Sequence, residues 1–248
     1  MALKIPKIIG HRGARGYAPE NTFESVRTAA EMGVEWVELD VKLTKDDIPI
    51  IFHDDTLDRT TNGSGPVAEA NWADIQNLEA GSWFADSFGG APVPSLEDML
   101  ELIIDLNLGF NLEIKPCPGR DTDTAEAALD YVSRVWDDHD RLLISSFSPV
   151  SLETAQNMAP EWSRGFLLEE EWPENWQELA DYLAVSTMNI NGNTCTREQV
   201  EDVIDLGKPV LAYTINDPQR ARTLQSWGVD AFFTDVPDVI QESLILVH

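Results

Sequence analysis

Apolar positions along the chain follow two alternating rhythms. Short apolar or period-two runs at 7–10, 36–43, 109–114, 142–146, 164–168, 183–188, 209–214 and 230–234 read as strands. Between them, segments at 22–32, 96–106, 124–136, 150–158, 176–181, 197–206, 218–227 and 236–244 carry the 3.6-residue period of helices that bury one face. Side chains able to cap exposed helical amides stand at the expected starts: Asn21-Thr22, Ser95, Ser148-Pro149, Asp217-Pro218 and Asp235. Strand and helix alternating eight times predicts an α/β protein of the (β/α)8 TIM-barrel type. A doubly wound open sheet is the alternative, but it usually needs fewer strands and favours a G-x-G-x-x-G turn, which is missing.

One interval breaks the rhythm. Residues 54–94 are rich in turn residues (DDTLDRTTNGSGPV, then EAGSWFADSFGGAPVP) before the helical pattern resumes at Leu96. In a barrel, an insertion after strand 2 emerges at the carboxyl end of the strands, where active sites are built. It reads as a small lid or substrate-selecting excursion from a single domain spanning 1–248, not as an independent unit.

Composition narrows the class. With 248 residues, 43% of them hydrophobic and including eight Trp and nine Phe, the chain has enough apolar material for a core. No apolar run approaches the ~18 residues of a membrane span. The opening MALKIPKIIGHRG passes directly into a strand-like run, which predicts no signal peptide and a cytoplasmic location. Cys117 and Cys195 are expected to be buried, reduced thiols. A formal charge of −27 argues against nucleic acid and against stable association with anionic membranes; a small-molecule substrate and a monomer or homodimer are expected.

The chemistry gathers at strand ends. His11-Arg12 follows the first strand, Glu38 and Asp40 lie within WVELDVKL, His53-Asp54 follows IPIIF, and Glu113 and Lys115 close the strand at 109–114. Because strand side chains alternate, Glu38 and Asp40 share one face, as do Glu113 and Lys115, while Val37, Leu39, Val41, Leu112 and Ile114 face the helices. Three carboxylates pointing into a barrel repel one another at great cost unless a cation joins them, and an oxygen-only donor set selects Mg2+ or Ca2+, with Mn2+ possible. The alternative is that Glu38 and Asp40 pair with Arg12 and Lys115. Of the four His, His11 and His53 converge on this cluster and fit a general acid–base pair; His139 and His248 read as exposed. A cation, two imidazoles, Arg12 and Lys115 together suit phosphoryl transfer. A glycosidase would use paired carboxylates but leaves the two His and the Lys without a task.

The segments HRGARGYAPENT (11–22), ELDVKLTKDDIPIIFHDDTLDRTTNGSG (38–65), VPSLEDML (93–100), EIK (113–115) and AYTIND (212–217) closely resemble the glycerophosphodiester phosphodiesterase family. The resemblance implies cleavage of glycerophosphodiesters to glycerol 3-phosphate and an alcohol. It also implies metal ligation by Glu38, Asp40 and Glu113, catalysis by His11 and His53, and phosphate contacts from Arg12 and Lys115. By resemblance and position, His53 stands on the leaving-group side and His11 on the nucleophile side. The nucleophile is either water or the neighbouring glycerol hydroxyl. PENT, at 19–22, reads first as a helix start. Phe147, Tyr213 and Trp83 or Phe84 are candidate linings for the alcohol side. Tyr213 departs from the Trp of many relatives.

Overall fold

The structure, a computed structural model, describes residues 3–245; His248 lies outside them. Eight parallel strands close into a barrel: β1 (Ile8–His11), β2 (Trp36–Leu43), β4 (Gly109–Ile114), β5 (Leu142–Ser146), β6 (Ser163–Leu168), β7 (Thr187–Asn191), β8 (Val210–Tyr213) and β9 (Ala231–Thr234). Closure is made by β1, which pairs with both β2 and β9. Around it run α1 (Phe23–Glu31), α3 (Leu96–Asp105), α4 (Asp121–Val135), α5 (Pro149–Met158), α6 (Trp176–Tyr182), α7 (Arg197–Asp205), α8 (Pro218–Trp227) and α9 (Pro237–Ile245). The alternation expected for β2 and β4 is borne out: Val37, Leu39, Val41, Leu112 and Ile114 pack against the helices in one continuous apolar layer. Inside the barrel, Ile9, Trp36, Leu143, Leu211 and Phe233 form an apolar plug. A Cβ on Gly109 would meet the Trp36 indole at 2.1 Å, so a side chain there would displace the plug. With the barrel axis filled below, polar residues are left to the carboxyl end.

Two strand expectations need correction. The run 183–188 is shifted: Leu183 and Val185 are buried in the turn after α6, and the strand is Thr187–Asn191. The inward face of β7 carries Thr187 and Asn189, whose polarity hides the strand, while apolar turn residues imitate one. The backbone carbonyls of that turn, Leu183 and Ala184, accept from the buried guanidinium of Arg164. The second correction is an added strand, β3 (Pro49–Ile51), which pairs antiparallel with β2 in a hairpin.

Most caps stand where expected. Thr22 forms a reciprocal capping box with Ser25, and Ser95, Ser148 and Asp217 each accept a first-turn amide. Asp235 does not cap; its carboxylate turns into the barrel mouth. Residues 54–94 hold the short helix α2 (Trp72–Ile75) and build a small core from Leu57, Val67, Ile75, Ala80 and Val93 over Ile50, Phe52 and Cys117. Cys117 and Cys195 are both free and buried. His139 is half-buried rather than exposed, its ring tilted against that of Trp162 with centroids 5.4 Å apart. Among the described residues no helix is long and apolar enough to cross a membrane.

Candidate active site

The carboxyl end of the barrel gathers every candidate residue. Register places His11 opposite Glu38, and Asp40 opposite Glu113. Oxygens of Glu38, Asp40 and Glu113 all lie within 4.8 Å of one another. After β1 the chain turns sharply through Arg12 (φ 50°) and Gly13 (φ 81°), both left-handed. The turn aims the Arg12 amide at Glu38 Oε2, 3.0 Å away. A Cβ on Gly13 would also collide with Ser25 at 2.7 Å or less, so helix α1 packs this tightly only against glycine.

The sequence alternative of charge pairing is present alongside the cluster. Arg12 Nε lies 3.2 Å from Asp40 Oδ2, and Lys115 Nζ lies 3.3 Å from Glu113 Oε1. These pairs do not neutralise the cluster. Burial, followed by repulsion from Asp40 and Glu113, pushes the Glu38 carboxyl well above its ordinary value. Burial and Asp40 push Glu113 up to about 7. Asp40 alone is held low: burial opposes its charge, but Arg12, His53 and Lys115 prevail. Glu38 Oε1 is buried without a hydrogen-bond partner. An orphaned carboxylate oxygen in an all-oxygen cluster that resists its own charge fits a hard divalent cation.

The β2–β3 hairpin positions the second histidine. It folds back so that the Phe52 amide donates to the Asp40 carbonyl at 2.9 Å, which sets His53 over the barrel mouth. His53 Nδ1 meets Asp54 Oδ1 at 2.6 Å, and His11 Nδ1 meets Asp235 Oδ1 at 2.7 Å. A carboxylate only accepts, so both Nδ1 atoms carry the proton and both Nε2 atoms are left for chemistry. Burial lowers both imidazoles below their ordinary value; Arg12 adds to this for His11, and Arg12 and Lys115 add to it for His53. Lys115 stays charged, because Glu113 and Asp40 outweigh its burial, and its ammonium lies 5.3 Å from the Phe147 ring centroid.

A cavity of about 220 Å³ lies between these groups. Its lining joins His11, Arg12, Glu38, His53, Glu113 and Lys115 to the polar Asn111, Ser145 and Thr214 and to Phe147, Leu167, Tyr213 and Phe233. Tyr213 is fixed by its hydroxyl, which donates to the Leu168 carbonyl at 2.7 Å, and by edge-on packing with Phe147. Trp83 and Phe84 pack on each other and are not among the lining residues, nor is any residue of 54–94. A larger opening of about 490 Å³, lined by Lys4, Lys7 and α9, holds among the described residues no histidine and a single carboxylate, Glu35.

Four residues supporting the site escape the sequence reading. Asp235 reads as a cap, and Asp54 as part of a His-Asp pair without a task. Asn21 does not cap α1; from a left-handed backbone (φ 58°) its amide donates to Asp40 Oδ2 at 2.9 Å. Glu20, within PENT, is buried against three arginines.

A closed parallel barrel whose carboxyl end joins an acid cluster to two aspartate-held histidines and fixed cations belongs to the enzymes that work on phosphate esters. Residues 11–239 match the Glycerophosphoryl diester phosphodiesterase family. A glycerophosphodiester phosphodiesterase of Caldanaerobacter subterraneus is 33% identical over 94% of this chain and 95% of its own. A phosphodiesterase of Oleispira antarctica, solved with the product sn-glycerol-3-phosphate, is 38% identical over 97% of both chains, with a TM-score of 0.93. A glycerophosphodiester phosphodiesterase of Agrobacterium tumefaciens is 30% identical over 96% of this chain and 100% of its own, with a TM-score of 0.76. The chain belongs to the glycerophosphoryl diester phosphodiesterase family, and its activity is that of a glycerophosphodiester phosphodiesterase.

Proposed function

We propose that the protein hydrolyses glycerophosphodiesters such as glycerophosphocholine and glycerophosphoethanolamine to sn-glycerol 3-phosphate and the free alcohol, in the cytoplasm and as a single barrel domain. The observation that carries this reading is the cavity itself: His11, His53, Glu38, Glu113 and Lys115 line one space, and Asp40 completes the acid cluster beside it. Glu38, Asp40 and Glu113 would hold a divalent cation, Mg2+ or Ca2+ with Mn2+ also accepted, which when bound offsets charge on the phosphoryl oxygens.

The remaining work falls to side chains. Lys115 and Arg12 bind the phosphate; Arg12 Nη1 donates to Glu20 Oε1 at 2.7 Å, and its Nε lies 3.2 Å from Asp40 in a charge pair without a hydrogen bond. His11, kept neutral by burial, takes the proton of the nucleophile. His53, on the insertion side, protonates the departing alkoxide; the anionic phosphate beside it favours its imidazolium when substrate is bound. The test is release of glycerol 3-phosphate from glycerophosphocholine by the purified, cation-supplied protein, and absence of release would refute the reading.

Lys115→Ala is expected to keep the fold, since Glu113 is the ammonium's sole hydrogen-bonding side chain among the described residues. A charged hydrogen bond contributes about 1.5–3 kcal/mol, so kcat/KM should drop about 10–100-fold at saturating cation. Unchanged kinetics would remove Lys115 from the phosphate site.

A further inference from the structure

Glu20 stands outside the acid cluster, yet its side chain is 2% exposed and accepts four hydrogen bonds from three guanidinium groups. Its Oε1 accepts from Arg12 Nη1 and Arg59 Nη2, each at 2.7 Å; its Oε2 accepts from Arg15 Nε and Arg59 Nη1, each at 2.9 Å. The two outer arginines each continue to a different histidine. Arg59 grips Asp54 through Nε at 2.6 Å and Nη2 at 2.8 Å, and Asp54 holds His53. Arg15 Nη1 lies 3.5 Å from Asp235 Oδ2, a charge pair without a hydrogen bond, while Asn216 Nδ2 donates to the same oxygen at 2.7 Å, and Asp235 holds His11.

We propose that Glu20 is a positioning residue that ties both histidine–aspartate pairs and Arg12 into one rigid frame, with Arg15 and Arg59 as its arms. A guanidinium is a planar fork that fixes two carboxylates in direction as well as in distance. The path from His11 through Asp235, Arg15, Glu20, Arg59 and Asp54 to His53 therefore sets the separation of the two imidazoles, and the same carboxylate sets the plane of Arg12. This inference rests on the assignment of His11 and His53 to proton transfer. Misplacing a reacting group by about 1 Å can cost 10²-fold in rate, so the frame is a catalytic requirement and not only a stabilising cluster.

The test uses the Mg2+-supplied protein with Arg59→Met, Arg15→Met and Glu20→Gln. One readout is independent of turnover: the downfield Nδ1 proton resonances of His53 and His11. Arg59→Met is expected to shift or broaden the His53 resonance and spare that of His11, and Arg15→Met to do the reverse. Glu20→Gln should move both, because an amide offers one acceptor oxygen and turns a donor toward the guanidinium groups. Its kcat on glycerophosphocholine should fall about 100-fold with little change in KM. If Glu20→Gln does not fold, the two arginine variants decide. A lowered melting temperature with both resonances and kcat unmoved would overturn the proposal. Resonances that respond as expected in a protein that turns over no glycerophosphodiester would instead refute the functional reading and leave the frame standing.

Discussion

EDTA is expected to abolish turnover of glycerophosphocholine, and Mg2+, Ca2+ or Mn2+ to restore it. The reason is electrostatic: Glu38, Asp40 and Glu113 crowd their oxygens within 4.8 Å, and Glu113 reaches about 7 when nothing but protein neutralises it. The same feature predicts a pH effect on stability. Between the ordinary value of 4.5 and about 7, the folded metal-free chain binds a proton on Glu113 that the unfolded chain has released. That contribution to stability is present at low pH and lost as pH rises through this window. A bound cation displaces the proton and reverses the trend, so the rise in melting temperature on adding cation should be larger at pH 8 than at pH 5. At 100 times its dissociation constant a ligand adds about 2.7 kcal/mol, or about 5–10 °C for a chain of this size. Glu113→Gln should fold but lose most of that increment. Full activity after exhaustive chelation, or no cation-dependent shift at pH 8, would remove the metal site.

His53→Ala is expected to lose most activity on glycerophosphocholine and far less on a glycerophospho-nitrophenol. A choline alkoxide is a poor leaving group and needs a proton, whereas a nitrophenolate departs without one. General-acid help of this kind contributes about 10²–10⁴-fold where it is required. His11→Ala should be crippled on both substrates, because deprotonation of the nucleophile precedes either departure. The two histidines have matching support, each with its Nδ1 on an aspartate, so geometry alone treats them alike and the leaving-group comparison separates them. Equal losses in the His53 variant would refute its role as acid; the reverse pattern would exchange the two.

Alternation along β2 made both the fold and the acid cluster legible. In WVELDVKL every second residue is apolar and faces helices, so the intervening acids point inward whatever the exact strand limits. Of the two aspartates that hold the histidines, Asp54 adjoins His53 in the chain and was visible without a task, whereas Asp235 was not legible as a partner of His11. Asp235 is 224 positions from His11, and an aspartate two residues before a helix reads equally well as a cap. Thr22 hid Asn21 in the same way, since one residue of the pair caps and the other reaches Asp40. The sixth barrel strand, β7, failed for the opposite reason, its inward face being polar. The aromatics Trp83 and Phe84 suggested a pocket lining on composition alone, yet they belong to the local packing of residues 54–94.

Residues 54–94 enter the working parts at two points only, Asp54 against His53 and Arg59 against Glu20, and contribute nothing to the cavity wall. That arrangement decouples two rates of evolutionary change. The excursion can change in length and sequence without touching the cavity wall provided Asp54 and Arg59 keep their places, so the chemistry, held on strand ends, stays fixed while the excursion varies.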